Sequence, residues 1–421
     1  MGAGTTVTIF GDTTGTLNSK AKSQTLIGVE SVTNIIYGDA YLIENRKGGN
    51  DALIGGANAD NILCGDAEDM FYSQGGNDLI VGGDKCTYNG LYGDAYSVNY
   101  SQGGNDVLVG GTNSMSNNLH GDAFEMDKSK GGNDVLTGGA DCSENILYGD
   151  AVNMSNSQGG NDALTGGSSA NYNAILGDAY ELNHSQGGND RLIGGTGSIE
   201  NFLTGDSKSM SYSVGGNDSL LGGADSFLNN LYGDAVNMSF SKGANDVLTG
   251  GVNSHYNKLY GDAMRLSASQ GGNDVLKATD TPISGEFVTE NMLYGDAEYH
   301  LAGATICGDD RLISGTGNDF MWGDIANSYN GTGYGDVDLS LVSTGQDIFV
   351  FSANNGTDTI HDFRQGEDKI ELNSVGVTSF EALMAAAHLS QQDTNTVITF
   401  GSNTITVVGV TELTASDFIF T

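Results

Sequence analysis

The sequence predicts an all-β fold: a parallel β-roll or β-helix solenoid of about ten 28-residue coils, closed by a β-rich C-terminal cap. Three observations carry that prediction. The quartet Gly-Gly-Asn-Asp recurs with its aspartates at Asp51, Asp78, Asp106, Asp134, Asp162, Asp190, Asp218, Asp246 and Asp274, a first step of 27 residues and then 28 throughout, with only Ala244 breaking the glycine pair. A second motif, opening mostly as Gly-Asp-Ala, runs in phase with it at Asp39, Asp66, Asp94, Asp122, Asp150, Asp178, Asp206, Asp234, Asp262 and Asp296. Apolar residues fall into columns of the same period, as stacking of equal supersecondary units requires.

Residues 1–33 lack the paired aspartates and are read as a cap on the first coil. Residues 34–277 are the regular array, and Gly103 to Lys130 illustrates one coil. Asn105 to Gly111 reads as a short strand and turn, with Leu108 inward between Val107 and Val109. A loop over Thr112 to Ser116 leads to a second strand, Asn117 to Ala123, with Leu119 inward. The longer stretch Phe124 to Lys130 reads as a loop forming a semi-regular third side, plugged by Met126 and its equivalents Met70, Val98, Met154 and Leu182. An asparagine column, Asn34, Asn61, Asn89, Asn117, Asn145, Asn173, Asn201, Asn229, Asn257 and Asn291, suits an amide hydrogen-bond ladder at a bend, with metal ligation through the side-chain oxygen as the other reading.

From Lys277 the spacing loosens, with Pro282 in an insertion, so 278–344 are read as irregular coils. Residues 345–421 are read as a β-rich cap with one helical stretch around Ser379–His388.

The 53 acidic and 16 basic residues leave a net charge of −37. Such a surface repels nucleic acid and anionic membrane faces. Aspartates placed at a fixed period suit divalent cations better than a solvated acidic chain does, and self-repulsion opposes folding without them. Each long stretch carries an aspartate at both ends, beside glycines that let backbone carbonyls approach an ion. Calcium accepts such a mixed oxygen set in a forgiving geometry, and magnesium is stricter, so the expected cofactor is a single main row of roughly nine or more calcium ions. Asp310, Asp319, Asp347, Asp358 and Asp368 extend the candidate ligands toward the C-terminus. The four cysteines, Cys64, Cys86, Cys142 and Cys307, have no metal-ligand spacing and are read as free packing residues. No apolar run reaches membrane-span length, and the start Met1-Gly-Ala-Gly shows no cleavable leader.

The segment Gln102-Gly103-Gly104-Asn105-Asp106-Val107-Leu108 resembles the second half of the nonapeptide of the RTX (repeats-in-toxin) calcium-binding family. A true nine-residue step occurs from Asp310 to Asp319, and the coil is wider than the family's 18-residue turn. Gly345-Gln-Asp347, Gly356-Thr-Asp358 and Gly366-Glu-Asp368, with the final Asp417-Phe-Ile-Phe-Thr421, are similar to the module that ends serralysin-type exoproteins. The resemblance implies calcium binding and type I export.

No His-Glu-x-x-His or Gly-x-Ser-x-Gly pattern is present, and the six histidines are scattered, so the chain is not expected to be an enzyme. The expected function is a secreted calcium-binding structural protein of the cell surface or matrix, which folds and self-assembles on calcium. Tyr37, Tyr92, Tyr148, Tyr232, Tyr260 and Tyr294 share one outward slot, with Trp322 in line. That face supports the other reading, an adhesive module stacking on surface polysaccharide. A non-catalytic part of an RTX exoenzyme is the third.

Overall fold

The structure, a computed structural model, describes residues 5–279, 290–329, 334–335, 339–386 and 388–421. Pro282 lies outside the described residues. The fold is a nearly all-β parallel solenoid of about 11 turns. It contains two compact units, Met1–Asp218 and Ser219–Thr421.

In the first unit each coil after the first has three strands, and the N-terminal coil has two, Thr6–Phe10 and Thr25–Ile27. The coil read above contains Val107–Val109, Ser116–His120 and Ala123–Asp127. Each pairs in parallel with its equivalent one coil on, in a register set by the repeat: Leu108 with Leu136, Asn117 with Asn145, Met126 with Met154. Leu108, Leu119 and Met126 point inward from the three sides and are buried. The stretch expected to be a loop is therefore a strand. It escaped recognition because its inward residues, such as Ala95 and Val98, are three apart and do not alternate. That strand ends in a tight corner through a left-handed residue, at Asn45, Tyr72, Tyr100, Lys128, Asn156 and His184, with φ between 48° and 52°.

The second unit repeats this plan. Val247–Thr249, Tyr256–Tyr260 and Ala263–Ser267 pair with Val275–Lys277, Glu290–Tyr294 and Ala297–Ala302. Short parallel strands continue through Ile348–Ser352 and Lys369–Asn373 to Phe418–Phe420. An antiparallel hairpin, Asn395–Phe400 with Asn403–Val407, and a short helix, Phe380–Ala385, complete the unit. Ser379 caps that helix, its hydroxyl accepting from the Ala382 amide at 3.2 Å.

The asparagines form an amide ladder. Asn145 Nδ2 donates to Asn173 Oδ1 at 3.0 Å and to the Gly139 carbonyl at 3.0 Å, while Asn145 Oδ1 accepts from the Gly139 amide at 2.9 Å and from Asn117 Nδ2 at 2.9 Å. The side chain thus closes its own turn and joins it to the next. The same pattern recurs from Asn34 to Asn61 and from Asn257 to Asn291.

The tyrosine column is not an open face. Tyr92, His120 and Tyr148 stack at 4.6 and 5.1 Å between ring centroids. In the second unit Tyr232, Tyr260, Tyr294, Trp322 and His361 stack at 4.7, 4.8, 4.7 and 4.2 Å. Tyr260 is only 2% exposed, and its hydroxyl donates to Glu298. These rings point away from the main core but cover one another, which leaves no ring face for a sugar. The slot that the alternative reading assigns to polysaccharide is a secondary core.

Asn145→Ala strands the Gly139 amide and both neighbouring ladder groups in a dry wall, so it should cost more than about 3 kcal/mol. Val135→Thr, on an outward position that is 46% exposed, should stay within about 0.5 kcal/mol. Denaturant unfolding of the folded chain measures both, and equal losses would refute the ladder's role.

Candidate metal centre

Every predicted aspartate from Asp39 to Asp368 is buried, none more than 3% exposed. The third strand and its corner turn the chain back on itself, so the two ends of each long stretch meet. The Gly104 amide donates to Asp94 Oδ2 at 3.0 Å, and Gly132 and Gly160 repeat the contact with Asp122 and Asp150. The other column is tied between coils: the Asp78 amide donates to Asp106 Oδ1 at 2.6 Å, and the Asp106 amide to Asp134 Oδ1 at 2.7 Å. One carboxylate oxygen each from Asp94, Asp106 and Asp122 then lies within 4.8 Å of the other two.

Asp78, Asp106, Asp134 and Asp162 each keep Oδ2 buried with no hydrogen-bond donor, as do Asp178, Asp234, Asp262 and Asp296. Burial raises the Asp106 carboxyl well above the usual range, and Asp94, Asp134 and Asp78 add to it. Burial likewise pushes Asp162 up to about 8 and, with Asp39 beside it, Asp51 to about 7. Asp94 rises less, to about 6, because its hydrogen bonds partly offset burial. Buried acceptors with no donor are what a hard cation satisfies.

The glycines are there because nothing larger fits. A Cβ on Gly103 would lie 1.6 Å from Asp122 Oδ1, and one on Gly93 would lie 1.6 Å from the Gly121 carbonyl oxygen.

Not all the candidates join this arrangement. Asp310, Asp347 and Asp368 continue the interlocked column, through amide contacts of 2.9 and 3.1 Å. Asp319 and Asp358 instead continue the asparagine ladder. Asn291 Nδ2 donates to Asp319 Oδ1 at 2.6 Å, and the Asp319 amide to Asp358 Oδ1 at 3.1 Å. Burial and then the Asp319 charge push the Asp358 carboxyl to about 9.

Three aspartates escaped the sequence reading: Asp12, Asp324 and Asp362. Each of the first two follows a glycine, Gly11 and Gly323, which was the available signal. In the first unit Asp12 is held by Lys22 Nζ at 3.0 Å and by Gln24 Nε2 at 2.9 Å. In the second, Asp324 contacts the Arg364 guanidinium and accepts from the Gly345 amide at 2.7 Å. Asp362 accepts from the Gly323 amide at 2.8 Å. Protein cations thus meet carboxylates at Asp12 and Asp324.

Residues 283–419 match the family described as Peptidase M10 serralysin C terminal. No curated protein matches the chain. Among solved structures, the extracellular lipase LipA from Serratia marcescens is similar over 66% of this chain at 12% identity, with a TM-score of 0.19. The chain covers 45% of that lipase. The repeat and its parallel coils make the chain a β-solenoid repeat protein, and its residues 283–419 are similar to the serralysin C-terminal family.

Proposed function

We propose that the chain is a secreted protein that binds calcium along its paired aspartate columns and folds as it does so, serving as a structural element of the cell surface or matrix. The observation that carries this reading is the row of buried Oδ2 atoms without donors. Asp94, Asp106 and Asp122 would hold one ion, and the repeated aspartate columns would hold others along the row. A bound cation supplies the missing positive charge, and the interlocked amide contacts keep each carboxylate pointed at it. Export rests on the serralysin-type C-terminal segment. The coils commit their aspartates to this one repeated arrangement, which suits binding and scaffolding over catalysis.

Sedimentation velocity with chelator and with millimolar calcium tests the proposal. A slow, expanded species should become compact when calcium is added, and identical profiles would refute calcium-driven folding. Asp134→Ala with Asp162→Ala should reduce the number of calcium ions retained after gel filtration. An unchanged ion count would rule those residues out as ligands.

Protons and calcium should act in opposite directions. Without calcium, the folded carboxyls, raised to about 6 to 8 at Asp94, Asp51 and Asp162, hold protons that unfolded aspartates release near about 3.9. Their stabilising contribution is complete below the unfolded value and is lost as pH rises through the folded ones. In chelator, the folded fraction should therefore fall from pH 5 to pH 7.5. In saturating calcium, Tm should rise over the same interval, since the ion needs the ionised form. A folded fraction that rises with pH in chelator would contradict the burial of these groups.

A further inference from the structure

We propose that Asp296, Cys307 and Asp324 form a site for one thiophilic divalent cation, of the zinc or cadmium class, set within the carboxylate row. The slot before the second glycine of the repeat is Gly75, Gly103, Gly131 and Gly159 in regular coils, and Cys307 in the coil ending at Asp310. A Cβ on Gly103 or Gly131 would lie 1.6 Å from Oδ1 of the next coil's aspartate. A side chain in this slot therefore enters the cation row itself. In the Cys307 coil the matching aspartate is Asp324, which is held by Arg364 and the Gly345 amide.

One ligand atom from each of Asp296, Cys307 and Asp324 lies within 4.8 Å of the other two, and all three residues are buried. Ligands of a common zinc ion, at about 2.0–2.3 Å each, stand roughly 3.5–4 Å apart, so little closure is needed. Independently, Asp296 is fully buried, with Oδ1 on the Gly308 amide at 2.8 Å and Oδ2 without a hydrogen-bond partner. Calcium takes oxygen ligands and gains little from sulfur, whereas zinc and its heavier congener bind thiolate strongly. Two carboxylates and a thiolate, less the one guanidinium on Asp324, leave two negative charges, the complement of one divalent ion. Until metal arrives, burial and then Asp296 keep the thiol protonated. On binding, the S–H bond breaks, the metal–sulfur bond forms, and the proton passes to water.

The other cysteines lack this setting. The thiols of Cys86 and Cys142 donate to the Gly56 and Gly111 carbonyls, and Cys64 packs with Tyr37 and Tyr92. The proposal needs only that the row be folded, and calcium retention measured on the same samples separates its failure from that of the calcium reading.

The test titrates the calcium-saturated full chain with cadmium and follows the ultraviolet thiolate-to-cadmium charge-transfer band. One equivalent should bind in the wild type and in Cys142→Ser, and the band should be lost in Cys307→Ser. Cys307→Gly restores the residue of the regular coils, so it should keep the fold by circular dichroism and still lose the band. Absence of a band in folded wild type with calcium retained, or a band that survives both Cys307 substitutions, would overturn the proposal.

Discussion

Like charges buried one above another are the constraint to which the rest of this solenoid answers. Neighbouring coils lie about 4.8 Å apart, which at an effective dielectric near 20 gives a repulsion of roughly 3–4 kcal/mol per ionised pair. A ladder hydrogen bond contributes only about 1 kcal/mol net. The asparagine ladder and the leucine columns can shape the wall, but they do not cancel a carboxylate column repeated through every coil. Only protons or cations do that, which ties the proposed ion binding to folding.

The same constraint explains the composition. Glycine recurs because a Cβ in those slots would overlap a carboxylate or a carbonyl of the adjacent coil. At Asp12 and Asp324 the chain provides part of the positive charge itself, through Lys22 and Arg364.

The period, the three inward columns and the asparagine ladder were legible in the sequence because stacking places like residues on like. The third strand was not. Its inward residues, as at Ala95 and Val98, break the alternation that identifies a strand. The tyrosine column misled for a related reason. Alternation shows that Tyr148 faces away from Leu147's side of the wall, but not that His120 covers it. The terminal aspartates Asp12 and Asp324 were missed because they keep the Gly-Asp pair but fall outside the regular array of residues 34–277. Cys307 hides in a coil whose step of 36 residues from Asp274 to Asp310 departs from the repeat.

The left-handed corner after the third strand lets the identity of one side chain per coil vary while the backbone stays the same. Tyr72, Tyr100, Lys128, Asn156 and His184 share one backbone conformation there, although their side chains range from phenol to ammonium, amide and imidazole. A backbone that accepts tyrosine, lysine, asparagine and histidine at the same place has separated what the coil builds from what it displays. The result is a molecular ruler with interchangeable markings, on which new surface chemistry can be written at intervals of about 4.8 Å without touching the wall that carries it.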